Sequence, residues 1–397
     1  MEEDVIFMRR CLELAALSLG NVQPNPMVGA VIVANGRIIA EGWHRKFGEA
    51  HAEINALRQV ENPEILKRAT LYVNLEPCSH FGKTPPCVDA VLAARIPRVV
   101  VGTVDPNPLV GGRGVEKLRA YGIEVRTPVL EDECLELNRR FFTAHQKHRP
   151  YIILKWAQTR DGFMDVKRDK PGQEYHYWIT NNELRTLVHQ WRAEEDALLV
   201  GYNTFLNDKP QLTTRDFPGK NPIPIILERD KAKIGEDYFD LGNNDETLHN
   251  LLHILWQKNI QSIIVEGGRK TLDRFLQADL CDEMRVLIGN QSWHEGTPAP
   301  ALNRQPDSDK ETGDSPPLTM AARAKDTAQR SSRAACDLSR QRFAAGEGAR
   351  RSCLTSCLIG TDRPAGGRLR PAIRGNLTPR PSAIRIAAAP RRTHGIS

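Results

Sequence analysis

The chain has 397 residues, enough for two or three domains that each bury a core. Its 40% hydrophobic and 26% charged residues are ordinary for a globular protein, and no run of about 18 apolar residues predicts a membrane span. The formal charge of +6 comes from residues 315–397, which hold 16 Lys and Arg against 4 Asp and Glu, whereas residues 1–314 carry a net charge of −6. A basic surface that binds nucleic acid is therefore not expected in residues 1–314.

Strand-like and helix-like segments alternate along residues 1–147. In chain order they are helix 5–19, strand 28–33, an Asn35-Gly36 hairpin turn, strand 37–42, helix 51–60, strand 70–75, helix 86–95, strand 98–104, helix 114–121 and strand 123–126. This alternation predicts a first α/β domain over residues 1–147.

A polar stretch over residues 145–150 ends in proline and is interpreted as a linker. A second α/β domain is predicted over residues 150–314. Its strands are expected at 151–155, 197–201, 223–227, 262–265 and 283–288, and its helices at 182–192, 246–258 and 270–278. From residue 315 the sequence is rich in Arg, Ala, Ser, Pro and Gly and loses its periodicity, so residues 315–397 are expected to form a disordered tail. A basic interaction tail is the alternative.

One histidine, one glutamate and two cysteines form the most informative pattern. His51 supplies an imidazole, and Cys78 and Cys87 supply two thiolates. This is the ligand set of a zinc site with a fourth position open for catalysis. Glu53 follows His51 closely enough to reach a zinc-bound water without itself ligating the metal. The pattern matches the H-x-E…P-C-x-x-C signature of zinc deaminases except that eight residues, not two, separate the cysteines. Spacing alone is also compatible with an alternative, in which two buried cysteines lie in the core and the histidine is unrelated to them. His80 is an alternative metal ligand.

The surrounding sequence resembles the bifunctional riboflavin biosynthesis deaminase/reductase family from Met1 to about Asp314. The motifs that carry the resemblance in the first domain are Pro24–Ala30, Glu41–His44, His51–Glu53, Glu76–Cys87 and Val104–Pro108. In that family the long loop between the cysteines is itself a hallmark, so the resemblance favours the zinc interpretation. It implies a cytidine-deaminase-like domain of three layers. Its substrate pocket would be lined by Asn25, His44, Lys83, Thr84 and Asn107, with Lys83 a partner for the ribose phosphate.

In the second domain, a buried strand leads into Gly267-Gly268 and a helix, a turn that can bring backbone N–H groups to a pyrophosphate or be only a tight connection. There is no G-x-G-x-x-G fingerprint. The resemblance implies a dihydrofolate-reductase-like fold that binds NADPH through Ala157, Trp178, Thr204, Asp208, Gly267 and Gly268. It implies substrate contacts at Lys155, His176, Arg192, Leu212, Arg215 and Glu266, with the two arginines on the phosphate. His176 stands where the family usually has a phosphate-binding serine, and Thr159 replaces another common serine.

The resemblance therefore implies an enzyme of riboflavin biosynthesis. Zinc hydroxide would deaminate 2,5-diamino-6-ribosylamino-4(3H)-pyrimidinone 5′-phosphate with Glu53 moving the proton, and NADPH would then reduce the ribosyl group to a ribityl chain. We expect a small pyrimidine ribotide as the partner, no nucleic acid or membrane, and a homo-oligomer. The acidic start lacks a secretory pattern and the eight cysteines are scattered, so a cytoplasmic location is expected.

Three alternatives remain open. The chain could be a nucleoside or tRNA deaminase with an accessory domain. It could be a zinc-stabilised binding protein without catalysis. Finally, the family's last strand after residue 314 looks replaced in this sequence, which would leave an unprotected sheet edge and a chain that is a deaminase only.

Overall fold

A computed structural model describes residues 2–81, 85–106, 111–167, 177–228, 239–240, 245–301, 306–312 and 315–321. The first domain contains α1 Glu2–Ala16, β1 Gly29–Ala34, β2 Arg37–Trp43, α2 Ala52–Leu57, a 3-10 helix Pro63–Arg68, β3 Ala69–Leu75, α3 Cys87–Ala93, β4 Arg98–Thr103, α4 Arg113–Ala120, β5 Glu124–Arg126, α5 Glu131–Leu137 and α6 Arg139–Lys147. Its five strands lie in the order β2-β1-β3-β4-β5. Strand β1 is antiparallel to β2 and β3, and β3, β4 and β5 are parallel. The predicted hairpin turn is present, with left-handed φ angles of 53° at Asn35 and 70° at Gly36.

Alternation along the strands produces the predicted three layers. Ile32, Leu71 and Val99 point to one face, where they pack with residues of α2, α3 and α4. Their neighbours Val31 and Tyr72 point to the other face and pack with residues of α1 and α5. Both faces of the central strands are therefore buried, which explains why β1 and β3 are apolar nearly throughout.

The second domain contains, in chain order, β6 Tyr151–Gln158, β7 Phe163–Asp165, α7 Asn182–Glu194, β8 Ala197–Gly201, α8 Tyr202–Asp208, β9 Ile223–Glu228, β10 Phe239–Asp240, α9 Asp245–Gln257, β11 Ser262–Val265, α10 Arg269–Gln277, β12 Glu283–Ile288, β13 Thr297–Pro298, β14 Pro306–Thr312 and β15 Ser315–Ala321. Its eight-stranded sheet has the order β10-β9-β8-β11-β6-β12-β15-β14. The strands from β10 to β12 are parallel, and β15 and β14 are antiparallel to their neighbours. Strands β7 and β13 form a separate antiparallel pair.

Helices α5 and α8 and strands β7, β10 and β13 lie in segments for which no element was predicted. Two further segments contradict the sequence predictions made for them. Residues 145–147 were predicted as linker but end helix α6, because Phe141 and Phe142 earlier in that helix pack into the core. The sheet also continues beyond residue 314: β15 begins at Ser315, where a tail was predicted. Its pairing with β12 runs through Leu318 and Thr319, which follow the two prolines of the strand. The β14–β15 hairpin thus covers the edge of β12 that was expected to be bare. Residues 322–397 of the predicted tail lie outside the described residues.

Buried ion pairs join the two domains. Arg140 of α6 donates to Glu195 after α7 through Nε at 2.7 Å, and the Glu195 side chain is 0% exposed. Burial alone would raise the pKa of Glu195, but Arg140 and Arg285 hold it below its usual value. Arg149, in the connection between the domains, adds a second pair to Asp282 at 2.8 Å. These paired charges fix how the first domain meets the second. Within the described residues, no helix has the length and apolar character needed to cross a membrane.

Candidate functional site

The three predicted metal ligands lie together in the first domain. The Nδ1 atom of His51 is 3.3 Å from the Cys87 sulfur and 3.6 Å from the Cys78 sulfur, and all three ligand atoms lie within 4.8 Å of one another. Tetrahedral zinc with its usual bond lengths separates nitrogen and sulfur ligands by about 3.6 Å. The cluster therefore fits zinc. His80 lies in the lining of the neighbouring cavity and is not a member of this cluster in the part of the chain that the structure describes.

Local backbone structure brings these ligands together. His51 is the extended residue immediately before α2, and Cys87 is the first residue of α3. The backbone N–H of Cys87 donates to the Cys78 sulfur at 3.3 Å, and the Val88 N–H donates to the Cys78 carbonyl at 3.2 Å. Hydrogen bonds from the Cys87 thiol and from His51 lower the pKa of Cys78 against the opposing effect of burial. The thiolate, which is the form that binds zinc, is favoured at Cys78.

Glu53 and two predicted substrate contacts surround the cluster. Glu53 lies in the first turn of α2 with only 3% of its surface exposed, and burial raises its pKa to about 7. His44 is buried, which lowers its pKa, and its Nδ1 lies 3.2 Å from the Ala50 carbonyl. Because a carbonyl only accepts, Nδ1 carries the proton and Nε2 accepts from the Asn25 amide at 3.1 Å. Asn25 and neutral His44 therefore form one hydrogen-bonded unit.

These residues line a cavity of about 720 Å³. Its walls include His44, His51, Glu53 and Cys78 from the first domain, and Trp256, Gln257, Asn259 and Gln261 from the second. A cavity of this size is typical of sites that enclose a small-molecule ligand. Three predicted substrate contacts of the deaminase, Lys83, Thr84 and Asn107, lie outside the described residues.

The sequence analysis missed a further residue of this region, Glu76. Its carboxylate accepts four backbone hydrogen bonds, from Asp105 at 3.1 Å, Gly112 at 2.8 Å, Gly114 at 2.7 Å and Val115 at 3.1 Å. Glu76 follows β3 and precedes Cys78 by two residues, so it links the ligand loop to the segment before α4. The available signal was a carboxylate placed directly after a buried strand.

Replacing Glu76 with Gln should weaken this link. An amide nitrogen cannot accept a hydrogen bond, so two of the four N–H groups lose their acceptor. We expect the free energy of unfolding to fall by about 1–3 kcal/mol. Since Asp105 lines the cavity, the KM of the predicted deamination should also rise. Urea unfolding and ammonia-release kinetics test this, and an unchanged stability together with an unchanged KM would contradict the role assigned to Glu76.

In the second domain, three predicted substrate contacts form one buried ionic cluster. Arg192 donates to Glu266 through Nε at 2.9 Å and Nη2 at 2.8 Å, and to the Thr213 carbonyl at 3.0 Å. The Lys155 ammonium lies 3.5 Å from Glu266. Burial opposes ionisation, yet Lys155 and Arg192 lower the pKa of Glu266 to about 2. Burial also lowers the pKa of Lys155. Arg192 was predicted to hold the substrate phosphate. Two of its three guanidinium nitrogens donate instead to Glu266.

Several predicted NADPH contacts lie at the carboxyl ends of the neighbouring parallel strands β8, β11 and β6. The backbone N–H of Gly268, the residue before α10, donates to the Thr204 hydroxyl at 2.8 Å. A Cβ atom on Gly267 would lie 2.7 Å from the Thr271 side chain, so this turn requires glycine. Ala157 lies near the end of β6, opposite Leu287 of β12. Asp208 is the last residue of α8, the helix that carries Thr204.

The remaining predicted contacts of the second domain lie in loops. Trp178 is 60% exposed, and the guanidinium of Arg185 lies 4.3 Å from its ring centre. Leu212 is buried with a left-handed φ of 53°, an uncommon backbone conformation for leucine. The Arg215 side chain is 41% exposed and lies 3.9 Å from Asp216. His176 lies outside the described residues.

Comparisons with known proteins cover both domains. The family model of the cytidine and deoxycytidylate deaminase zinc-binding region matches residues 1–103, and that of the RibD C-terminal domain matches residues 150–290. The riboflavin biosynthesis protein RibD of Aquifex aeolicus is 43% identical over 327 residues, covering 74% of this chain and 89% of that protein. RibD of Escherichia coli K12 is 37% identical over 327 residues, covering 72% of this chain and 87% of that protein.

Solved structures agree with the sequence comparisons. The crystal structure of a diaminohydroxyphosphoribosylaminopyrimidine deaminase/5-amino-6-(5-phosphoribosylamino)uracil reductase from Thermotoga maritima is 38% identical with a TM-score of 0.70. The match covers 80% of this chain and 97% of that one. A structure of Acinetobacter baumannii RibD is 34% identical with a TM-score of 0.67, covering 79% and 92% of the two chains.

Proposed function

The chain belongs to the RibD family of riboflavin biosynthesis proteins, and from this membership we propose which of its residues carry its two reactions. The protein is a bifunctional deaminase and reductase that uses Zn²⁺ and NADPH and acts on a small-molecule pyrimidine. A chain limited to deamination is not favoured, since residues 150–290 match the reductase domain and β15 fills the edge of the sheet. Membership in this family also argues against a tRNA deaminase and against a binding protein without catalysis.

For the first reaction we propose 2,5-diamino-6-ribosylamino-4(3H)-pyrimidinone 5′-phosphate as the substrate and His51, Cys78 and Cys87 as the zinc ligands. The observation that carries this proposal is the cluster of one imidazole and two sulfurs at zinc-ligand distances beside buried Glu53. A bound zinc ion activates water as a nucleophile near neutral pH. Asn25 and His44, together with Lys83, Thr84 and Asn107 by family resemblance, orient the ribotide.

Glu53 moves the protons of this reaction. Its carboxylate accepts a proton from the attacking water and donates it to the 2-amino nitrogen, which leaves as ammonia while the ring carbon gains oxygen. A buried carboxyl whose pKa is raised to about 7 suits a group that must both accept and release a proton near neutrality. Burial also keeps the group close to the reacting atoms in a single orientation.

For the second reaction we propose NADPH contacts at Ala157, Trp178, Thr204, Asp208, Gly267 and Gly268 and substrate contacts at Lys155, His176, Arg192, Leu212, Arg215 and Glu266. NADPH supplies a hydride to the sugar C1, whose bond to the ring oxygen breaks, and a proton completes the new hydroxyl of the ribityl chain. The N-terminus of α10 at Gly268 suits a pyrophosphate. Glu266 orients Lys155 and Arg192 toward the substrate, and Arg215 is exposed and available to bind the phosphate.

We further propose that the protein works as a homo-oligomer in the cytoplasm. Its free thiols are typical of proteins from a reducing compartment, and exposed Ile6 and Leu17 at the first helix offer apolar surface to a second copy. A monomeric mass by light scattering, or recovery outside the cytoplasm after cell fractionation, would contradict these two points.

Removing the metal tests the assignment of the zinc site. Treatment with a chelator should abolish ammonia release from the ribotide, and added Zn²⁺ should restore it. NADPH oxidation on the deaminated product should stay within about twofold, because the His51–Cys78–Cys87 cluster and Glu266 belong to different domains. Mock-treated protein is the control. Ammonia release by protein shown to be free of zinc would overturn the proposal.

A further inference from the structure

The cavity beside the zinc cluster is not built by the deaminase domain alone. Trp256 and Gln257 at the end of α9, with Asn259 and Gln261 after it, supply part of its wall. These residues belong to the reductase domain. The predicted deaminase contacts, by comparison, all lie in the first 147 residues.

Hydrogen bonds and ring contacts hold this wall against the first domain. The Gln261 amide donates to the Pro24 carbonyl at 2.7 Å, one residue before Asn25. The Gln261 carbonyl accepts from the Tyr151 N–H at 2.8 Å, and its own N–H donates to Asp196 at 2.9 Å. The Trp256 ring lies 4.7 Å from the His148 ring, in the connection between the domains. The wall is therefore fixed on both sides.

The two domains supply different residues to the cavity lining, and this difference suggests what the residues of the second domain contact. The metal cluster, Glu53 and the Asn25–His44 pair are the groups suited to the pyrimidine ring, and a cavity of about 720 Å³ has room for more than that ring. Trp256 offers an aromatic surface and Asn259 a neutral amide, which suit the carbon face and the hydroxyls of a sugar. We propose that Trp256 is a specificity-determining residue of the deaminase, which packs against the ribosyl phosphate portion of the substrate.

This inference rests on the proposed deamination. Its test therefore distinguishes failure of the role of Trp256 from failure of the deaminase assignment. In the full chain, Trp256→Ala should raise the KM for the ribotide about fivefold to tenfold, the effect of one aromatic contact, with kcat changed less than twofold. Trp256→Phe should restore most of the affinity. The aglycone 2,5,6-triamino-4-pyrimidinone, used as a competitive inhibitor, should keep its Ki within twofold, because it lacks the sugar that Trp256 contacts.

Trp293→Ala is the matched control, since it removes another partly exposed tryptophan of the same domain that does not line this cavity. It should leave the KM of the deaminase unchanged. An unchanged ribotide KM in Trp256→Ala, or an equal loss of affinity for ribotide and aglycone, would overturn the role of Trp256 while leaving the deaminase assignment intact. Failure of the unaltered protein to release ammonia would instead overturn the deaminase assignment itself.

Discussion

Replacing Glu53 with Gln should lower kcat for ammonia release by about 10²- to 10⁴-fold, the contribution of a well-placed general acid–base. Glutamine keeps the size and burial of the side chain but cannot take a proton from water or return it to the leaving amine. The three proposed zinc ligands are unchanged, so zinc content should equal that of the unaltered protein. NADPH oxidation on the deaminated product should also persist, because the residues assigned to it lie in the other domain.

Glu61→Gln is the matched control for this experiment. Glu61 is exposed in the segment that follows α2, so the same chemical change should leave both activities within about twofold. Ammonia release that survives in Glu53→Gln would remove Glu53 from the mechanism. Simultaneous loss of both activities would mean that the substitution damages the fold, and metal analysis with thermal unfolding would identify that case.

The complementary change, Glu266→Gln, should lower kcat/KM for NADPH oxidation by about 100-fold, as expected when a buried charged hydrogen-bond partner is removed. Glu266 is the carboxylate that pairs with both Lys155 and Arg192. With glutamine in its place, these two buried cations lose that carboxylate, and the amide nitrogen points a donor at a guanidinium that is itself only a donor. The positions of Lys155 and Arg192 should therefore change.

The other activity of the same molecule serves as a folding control here. Ammonia release should stay within about twofold in Glu266→Gln, and Glu295→Gln, an exposed position of the same domain, should affect neither reaction. Unchanged NADPH oxidation would show that Glu266 has no part in the reductase. Equal loss of ammonia release would point to unfolding of the whole chain.

The local pattern of the sequence was sufficient for most of the fold. The predicted strands of both sheets are present, because alternation and apolar runs report directly on which faces are buried. Helix α6 was missed because its sequence ends in polar residues, although Phe141 and Phe142 anchor it. The β14–β15 hairpin was missed because its partner is β12, and pairing with a distant strand leaves little local signal.

The same difference between local patterns and long-range contacts decides which parts of the candidate site could be predicted. The zinc cluster could be predicted because ligand types and motif spacing are properties of short segments, and the structure brings all three residues together. The four contacts of Glu76 and the pairing of Arg192 with Glu266 join residues 29 to 74 positions apart, and no pattern within one element reveals them. Trp256 in the deaminase cavity required knowledge of how the two domains meet.

The charges shared by Arg140 with Glu195 and by Arg149 with Asp282 have a consequence for the gene as well as the protein. A chain divided between residues 147 and 150 would leave Arg140 of the shorter polypeptide without Glu195, and Glu195 of the longer one with Arg285 as its remaining partner. Water would have to replace the lost partner at each newly exposed surface. The shorter fragment would also lose the indole that lines its cavity. The covalent connection therefore keeps opposite charges and a shared cavity wall together, in addition to producing both enzymes from one gene.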